Sequence, residues 1–270
     1  MTHCFAALFH RPLHLLALLG LVVLSACGGT DPAVTRTTPF DPYEAENRRV
    51  HQFNRSLDRA LVRPAGTGYS AAIPDDIELV VGNFAENLSL PQAIVNNILQ
   101  GNGRGATEDF YRFLVNTTIG LGGLFDTASE LEMPRPTDTD FGETLYVWGV
   151  HEGPYLELPV LGPSTTRAAV GRVIDLFTNP LTYTVDEPER YIGTGVTILS
   201  GLGKRGQYAE TVDSILYDSA DSYAISRSIY LQNRRFKLGG TASDGYTDPY
   251  DSTAAGGAAA STALEDPYEE

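Results

Sequence analysis

The feature that most constrains this chain is the segment of residues 141–164, FGETLYVWGVHEGPYLELPVLGPS. It begins like a short helix, because Asp140 can cap it and Phe141, Leu145 and Trp148 recur at helical spacing. Glycine and proline then forbid a continuous helix, at Gly149, Gly153, Pro154, Pro159, Gly162 and Pro163. Since strand partners are hard to find elsewhere in the chain, we expect the apolar residues between them to form an extended strip against helices or against lipid.

Composition narrows the possible functions. The chain has 270 residues, enough for one domain with tails, and a formal net charge of −15. An acidic surface argues against nucleic-acid binding and against electrostatic docking to anionic lipid head groups. Any membrane attachment must therefore rest on apolar contact or on a covalent anchor.

The sequence carries no pattern of catalytic or metal-binding residues. Both cysteines precede the expected domain and the five histidines lack metal-ligand spacing, so we expect no disulfide framework and no metal site. No nucleophile elbow, zincin motif, Cys/His nucleophile pair or dinucleotide fingerprint occurs. We therefore expect that the protein is not an enzyme and needs no cofactor.

The N-terminus has the pattern of a lipoprotein signal peptide. Residues 13–23 are almost continuously apolar, which is too short for a bilayer span of about 20 residues but typical of a signal-peptide core. The tetrapeptide LSAC at residues 24–27 resembles a bacterial lipobox, so we expect cleavage before a lipidated Cys27. An ordinary signal peptide that contains a cysteine is the alternative. Glycine rather than aspartate at Gly28 predicts export to the outer membrane.

These patterns predict four regions. Residues 1–27 form the signal peptide, and residues 28–40 are small, polar and proline-containing, as in a tether. Residues 41–238 carry amphipathic helical patterns and form the expected domain. Residues 239–270 contain no lysine or arginine and little apolar content, which predicts a disordered acidic tail.

Proline and glycine set the expected helix bounds in the domain. Asp41 is expected to cap a first helix, which Pro64 and Gly66 should end. Pro74 and Pro91 are each expected to begin a further helix.

Later helices are predicted in the same way. The glycine-rich residues 101–106 follow a helix and lack the Lys-Ser/Thr of a P-loop, so we interpret them as a flexible turn. Ser164 is expected to cap a helix that buries Val170, Val173, Ile174 and Phe177. A basic cluster ends the last helix, and we favour compensation of the helix dipole over contact with head groups or an acidic partner. Its members are Arg227, Arg234, Arg235 and Lys237.

Three blocks of sequence carry a family resemblance. They are DPYEAENRRVHQFNRSLD at residues 41–58, RFLVNTTIGLGGLFDTA at residues 112–128 and FGETLYVWGVHEGPYLELPVLGPST at residues 141–165. Together they resemble the signature of the MlaA (VacJ) lipoproteins of Gram-negative outer membranes, and the resemblance covers nearly all of residues 41–238.

The resemblance implies a fold and a function. The fold would be a mainly α, multi-helix, ring-like single domain of amphipathic helices with a Pro/Gly-rich apolar segment, at the periplasmic face of the outer membrane. The protein would take mislocalised phospholipid from the outer leaflet through an amphipathic channel and maintain lipid asymmetry. Its partners would be a trimeric porin and a periplasmic lipid carrier of the MlaC type. The alternatives are a structural lipoprotein that only docks a porin or the cell wall, and a lipid-modifying hydrolase.

The candidate residues fall into two groups. Apolar side chains expected to contact acyl chains or to line a channel are Phe53, Leu121, Leu124, Phe125, Trp148, Tyr155, Leu156, Leu158 and Leu161. Polar side chains expected either to face a polar lumen or to brace the fold are Asn47, Asn54, Asn116 and Asp126. Asn47 and Asn54 lie seven positions apart inside one helix, where asparagine is a poor helix former and usually needs a hydrogen-bond partner.

Overall fold

Helices make up most of the protein in a computed structural model, which describes residues 39–184 and 190–239. The expectations for the signal peptide, for the tether up to residue 38 and for the acidic tail beyond residue 239 lie outside the described residues. In chain order the helices are α1 (Glu44–Leu57), α2 (Arg63–Ala72), α3 (Asp75–Leu99), α4 (Gly103–Thr118), α5 (Thr127–Glu130), α6 (Phe141–Val147), α7 (Thr166–Thr178), α8 (Leu181–Thr184), α9 (Arg190–Gln207), α10 (Ala209–Asp213) and α11 (Ser222–Lys237). The mainly α-helical class predicted from the sequence is confirmed.

Two π-helical turns interrupt this series. We call them π1 (Asp58–Val62) and π2 (Ser214–Asp218). The first joins α1 to α2 and the second follows α10. Because of π1, the chain stays helical from Glu44 to Ala72, well past the expected end.

The helix bounds predicted from two prolines are wrong. Pro64 occupies the second position of α2, where a missing N–H is tolerated, so it does not end the first helix. Pro91 lies inside α3 and is buried, so it does not begin a helix. The packing of α3 against α4 and α9 outweighs the one hydrogen bond that the proline removes.

Three predicted turns and caps also differ. Asn102 caps α4 by accepting a hydrogen bond from the N–H of Gly105 at 3.0 Å. Residues 103–106 are therefore helical and do not form the expected turn. Thr165, not Ser164, caps α7. Asp41 is not the cap of α1, because Tyr43 holds that position without a side-chain hydrogen bond.

The Pro/Gly-rich apolar segment folds on itself. β1 (Tyr155–Leu158) pairs antiparallel with β2 (Gly162–Thr165), with Tyr155 opposite Thr165 and Leu158 opposite Gly162. The partner of β1 therefore comes from the same segment, a few residues further on. The outer edge of β1 contacts α1, and β2 contacts α11, so the hairpin lies between the first and last helices.

Close contact between α6 and α7 depends on two glycines. A Cβ atom built on Gly171 would lie only 2.3 Å from the backbone nitrogen of Gly142, which no side chain can accommodate without moving the helices apart. By contrast, a Cβ atom on Gly82 in α3 would have no heavy atom within 4 Å.

The two glycines give a matched pair of substitutions. Gly171→Ala should destabilise the fold by about 1–3 kcal/mol, because the added methyl group overpacks the contact. Gly82→Ala should stabilise it by about 0.5–1 kcal/mol, because alanine loses less backbone entropy in a helix. Denaturant unfolding in detergent, followed by circular dichroism, measures both, and equal midpoints for the two variants would contradict this account.

Candidate functional site

The described part of the chain has an unusual distribution of polarity. Its buried side chains include fifteen polar or charged groups and ten apolar ones. Large apolar side chains are meanwhile exposed on eight of the eleven described helices, with Leu176 of α7 at 70%. Val173 and Phe177 are exposed as well, so the prediction that α7 buries them is wrong. Exposed apolar side chains mark a membrane or partner interface where they form a large patch.

None of the helices in the described ranges combines the length and the apolar character that a membrane crossing requires.

The glycine-rich loop between α4 and α5 presents apolar side chains outward. Leu121 is 65% exposed and Phe125 53%, and Leu124 is also exposed. A positive φ of 95° at Gly123 lets the loop lie against Asn87, whose side chain would be only 2.4 Å from an added Cβ atom. The three apolar residues predicted to contact lipid are thus held on the surface by a tightly packed turn.

The hairpin separates its predicted residues into an inner and an outer group. Leu161, at 63% exposure, forms the tip together with Val160. Leu156 and Leu158 are half-buried. Tyr155 is only 1% exposed and lies in the core, so its side chain is not available to lipid in this conformation.

Two further predicted residues lie at the surface. Phe53 on α1 is exposed. Trp148 is exposed as well, but its Nε1 donates to the carbonyl of Leu99 at 3.0 Å, and its ring packs edge-on against Phe141. An indole ring with its N–H already satisfied suits an apolar environment.

Asn47 closes the outer edge of the hairpin. Its Oδ1 accepts from the N–H of Glu157 at 2.9 Å, and its Nδ2 donates to the carbonyl of Tyr155 at 3.1 Å. The same Nδ2 donates to Asp41 at 2.8 Å. This side-chain amide thus pairs with the free edge of β1 as a neighbouring strand would.

Asn54 repeats the arrangement two turns later. Its Oδ1 accepts from the N–H of Val160 at 2.7 Å, and its Nδ2 donates to the carbonyl of Leu158 at 2.9 Å. Seven residues of helix span about 10.5 Å, close to the roughly 10 Å that three residues of a strand span between Tyr155 and Leu158. Both asparagines, for which a polar lumen and a bracing role are the two alternatives, make their hydrogen bonds within the fold, at the hairpin.

A hydrogen-bonded chain continues behind the hairpin. Tyr155 donates to Glu157 Oε2 at 2.5 Å, and His51 Nδ1 lies 3.3 Å from Glu157 Oε1. His51 Nε2 lies 3.0 Å from the Ser222 hydroxyl, at the start of α11. Burial, together with the nearby Glu157 carboxylate, raises the pKa of the Tyr155 hydroxyl. The chain links α1, β1 and α11 through side chains that are all buried.

Asn116 and Asp126 brace the glycine-rich loop from inside. Asn116 Nδ2 donates to Asp126 at 2.9 Å, and its Oδ1 accepts from the N–H of Ala128 at 2.8 Å. Arg112, fully buried, donates to both carboxylate oxygens of Asp126. Burial favours the neutral acid, but hydrogen bonds from Ser129 and Asn116 and the Arg112 charge outweigh it and lower the pKa of Asp126.

The basic cluster of α11 consists of intramolecular ion pairs. The pairs are Arg227–Asp41 at 2.6 Å, Arg234–Asp140 at 2.6 Å, Arg235–Glu152 at 3.3 Å and Lys237–Asp138 at 2.5 Å. Arg234, Arg235 and Lys237 lie in the last turn of α11, where a cation also compensates the helix dipole. The ion pairs fasten the last helix to the start of the domain and to the central segment.

Several buried polar residues were not predicted from the sequence. Asn97 donates to Asp109 at 2.9 Å, and Asn96 donates to Asp175 at 3.1 Å. Burial raises the pKa of Asp109, although Thr137 donates to it from both its hydroxyl and its N–H. The available signal is the pair of adjacent asparagines between apolar residues at the end of α3, since this residue type needs a partner inside a helix.

Asn47→Ala tests the bracing role. It should destabilise the protein by about 2–3 kcal/mol, because it leaves a buried N–H, a buried carbonyl and a carboxylate without their partner. Ser56→Ala, an exposed position on the same helix, should change stability by less than about 0.5 kcal/mol. Chemical unfolding of both variants measures the difference, and a marginal effect at Asn47 would refute the brace.

Comparison with known proteins places these features in a family. The family model described as "MlaA lipoprotein" matches residues 39–237. A solved structure described as "Structural basis for maintenance of bacterial outer membrane lipid asymmetry" is similar at a TM-score of 0.63 and 32% identity, covering 73% of this chain and 98% of that chain.

Curated relatives agree with the family model. The "Intermembrane phospholipid transport system lipoprotein MlaA" of Escherichia coli is 33% identical over 227 residues, covering 82% of this chain and 87% of the relative. The protein of the same name from Haemophilus influenzae is 32% identical, covering 83% and 89%. An "Uncharacterized protein" of Rickettsia felis is 37% identical over 190 residues, covering 70% and 74%. The chain belongs to the MlaA lipoprotein family.

Proposed function

We propose that this protein is a Gram-negative outer-membrane lipoprotein of intermembrane phospholipid transport. It removes mislocalised phospholipids from the outer leaflet and passes them to a periplasmic carrier, which maintains lipid asymmetry. The observation that carries the proposal is the distribution of polarity, with apolar side chains on the surface and hydrogen-bonded polar groups inside. The printed names of its relatives support the same function.

The physical task explains this distribution. Moving a charged head group through hydrocarbon costs many kcal/mol, so a transport component must present a polar route while itself lying in lipid. When the domain lies in lipid, acyl chains take the place of water around the exposed apolar side chains, and this exchange costs no free energy. Most of the buried polar groups remain stable without water because they form hydrogen bonds with other polar groups of the chain.

Particular residues take particular roles in this proposal. Leu121, Leu124 and Phe125 of the glycine-rich loop and Leu161 of the hairpin tip contact acyl chains, since all four are exposed. Asn47, Asn54, Asn116 and Asp126 hold the loop and the hairpin in place. Tyr155 supports the hairpin from within and has no lipid contact.

The membrane attachment has two parts. Acyl chains on Cys27 supply an anchor at about 0.8 kcal/mol per buried methylene group, and the apolar surface of the domain supplies the rest. The domain then lies at the periplasmic face, where a trimeric porin and a carrier of the MlaC type are its proposed partners. The acidic net charge agrees with an attachment that needs no anionic head groups.

A strain that lacks the protein tests transport directly. Phospholipid accessible to an impermeant amine reagent should rise at the cell surface, and the cells should become sensitive to detergent. The wild-type gene should restore both properties, and Leu121→Asn with Phe125→Asn should restore neither, because polar side chains keep the loop out of lipid. Unchanged surface phospholipid in the deletion strain would contradict transport and favour a structural lipoprotein that docks a porin or the cell wall.

The two cysteines provide a matched control for the anchor. Cys27→Ala should take up no labelled fatty acid and should fail to complement the deletion, whereas Cys4→Ala should take up label and complement fully. Label on the Cys27→Ala protein would show that the anchor lies elsewhere.

A second candidate function, ester hydrolysis, is favoured by one observation. The Ser222 hydroxyl, His51 and Glu157 lie in the order of a serine-hydrolase triad, at 3.0 and 3.3 Å. All three side chains are buried, and Glu157 is also bonded by Tyr155 and Asn54, which fits a brace equally well.

Transport needs no bond-making, so we expect the purified protein to release no fatty acid from phospholipid vesicles and to leave Ser222 unlabelled by a fluorophosphonate. Release that Ser222→Ala abolishes and Ser219→Ala preserves would establish the hydrolase instead.

A further inference from the structure

A polar cleft of about 290 Å³ opens between α1 and the turn that leads into α11. Its walls are formed by Arg48, His51, Gln52, Arg55, Ser219, Ala220, Asp221, Ser222 and Tyr223. The cleft is distinct from the exposed glycine-rich loop and from the hairpin tip, neither of which contributes a residue to it.

The size and lining of the cleft limit what it can hold. Its volume is at the low end of ligand sites, which run from about 300 to 1,000 Å³. Apart from Ala220, every lining residue offers a polar group, so an acyl chain would find almost no apolar wall there. A small polar or charged group fits the cleft better than a hydrocarbon tail does.

Arg55 is the residue that points to a ligand. Its Nε atom is buried and has no hydrogen-bond partner among the described residues, and no carboxylate pairs with its guanidinium there. Its one aromatic neighbour is the ring of Tyr217, at 5.4 Å from the guanidinium carbon. With no carboxylate in the described part of the chain paired to it, the positive charge of this guanidinium is available to an anion.

The other charged side chains at the cleft, Arg48 and Asp221, are already paired. Arg48 donates to both carboxylate oxygens of Asp221, at 3.0 and 2.8 Å, and to Glu44 at 2.8 Å. Arg48 therefore offsets part of the negative charge that Asp221 and Glu44 bring to this wall. Arg55 remains as the free positive charge on the wall.

Both π-helical turns meet beside Arg55. The Tyr217 hydroxyl of π2 donates to Asp58 of π1 at 2.7 Å, and Arg205 donates to the same carboxylate at 2.9 and 2.8 Å. Arg59 of π1 also lies over the Tyr217 ring, at 4.7 Å. π-Helical turns are frequent at functional sites, and here the pair lies next to Arg55 on the cleft wall.

We infer that this cleft binds the phosphate group of a phosphate ester, with the Arg55 guanidinium as its principal donor. The inference rests on the proposed transport function, under which the natural source of the group is a phospholipid head group. Guanidinium is suited to this role, because its planar donors match phosphate oxygens two at a time. The Gln52 amide, one turn earlier on the same wall, lies within the lining and supplies a further polar group.

Calorimetric titration of the full-length lipidated protein in maltoside micelles tests the inference. The probes are sn-glycero-3-phosphoethanolamine and inorganic phosphate, with glycerol as the phosphate-free control. We expect saturable binding of the diester that weakens as salt is added. Arg55→Gln should weaken it roughly tenfold or more, because a charge-assisted hydrogen-bond donor is lost.

The control is Arg49→Gln, on the same helix but outside the cleft, whose side chain is 73% exposed and paired with Glu46. It should bind within about twofold of the wild type, since surface pairs contribute little. Tighter binding of the diester than of phosphate assigns the site to a lipid head group, and equal binding assigns it to free phosphate.

Absence of saturable binding, or an Arg55→Gln affinity equal to that of the wild type, would overturn the inference. Unfolding midpoints of the variants show whether lost binding comes from lost structure. If binding is absent while the deletion strain still accumulates surface phospholipid, the phosphate site is rejected and the transport function stands.

Discussion

A polar interior is stable only where almost every buried donor finds an acceptor, and this requirement organises the whole domain. At the free edge of the hairpin, the partners are supplied by Asn47 and Asn54. Beneath the glycine-rich loop, Arg112 donates hydrogen bonds to Asp126. In each case the cost of an unpaired group is of the order of 1–3 kcal/mol, larger than the net gain from most single contacts. The elements that present apolar side chains outward are therefore fixed from inside by hydrogen bonds and not by a large apolar core.

This arrangement, with polar side chains inside and apolar side chains outside, shows what sequence patterns can and cannot predict. The 3.6-residue repeat predicts helices because it reports that one side of each element differs from the other. It does not report which side faces inward, and the usual assumption that apolar means buried fails for Val173 and Phe177. Bounds set by proline fail for a similar reason. Each of these prolines lacks the N–H of one backbone hydrogen bond, but the packing of the helix against its neighbours decides whether the helix continues past Pro64 or Pro91.

The candidate residues illustrate the same division. Leu121, Phe125 and Leu161 were found from the sequence because glycine or proline surrounds them, which leaves apolar side chains on exposed turns. The asparagines were noticed as poor helix formers, but only the fold shows that the hairpin edge is their partner. Arg55 carries no local signal at all. Its significance comes from a wall formed by residues 219–223, more than 160 positions later in the sequence.

The shortage of buried apolar side chains has a thermodynamic consequence. The heat-capacity increment of unfolding comes mainly from apolar surface newly hydrated by water, and ordinary domains show about 12–15 cal/mol/K per residue. A domain whose apolar groups already lie outside hides little such surface in its interior, so its increment should be smaller. The free energy of unfolding then changes only gradually with temperature. Cooling should lower it less than it lowers the free energy of unfolding of a domain with a large apolar core.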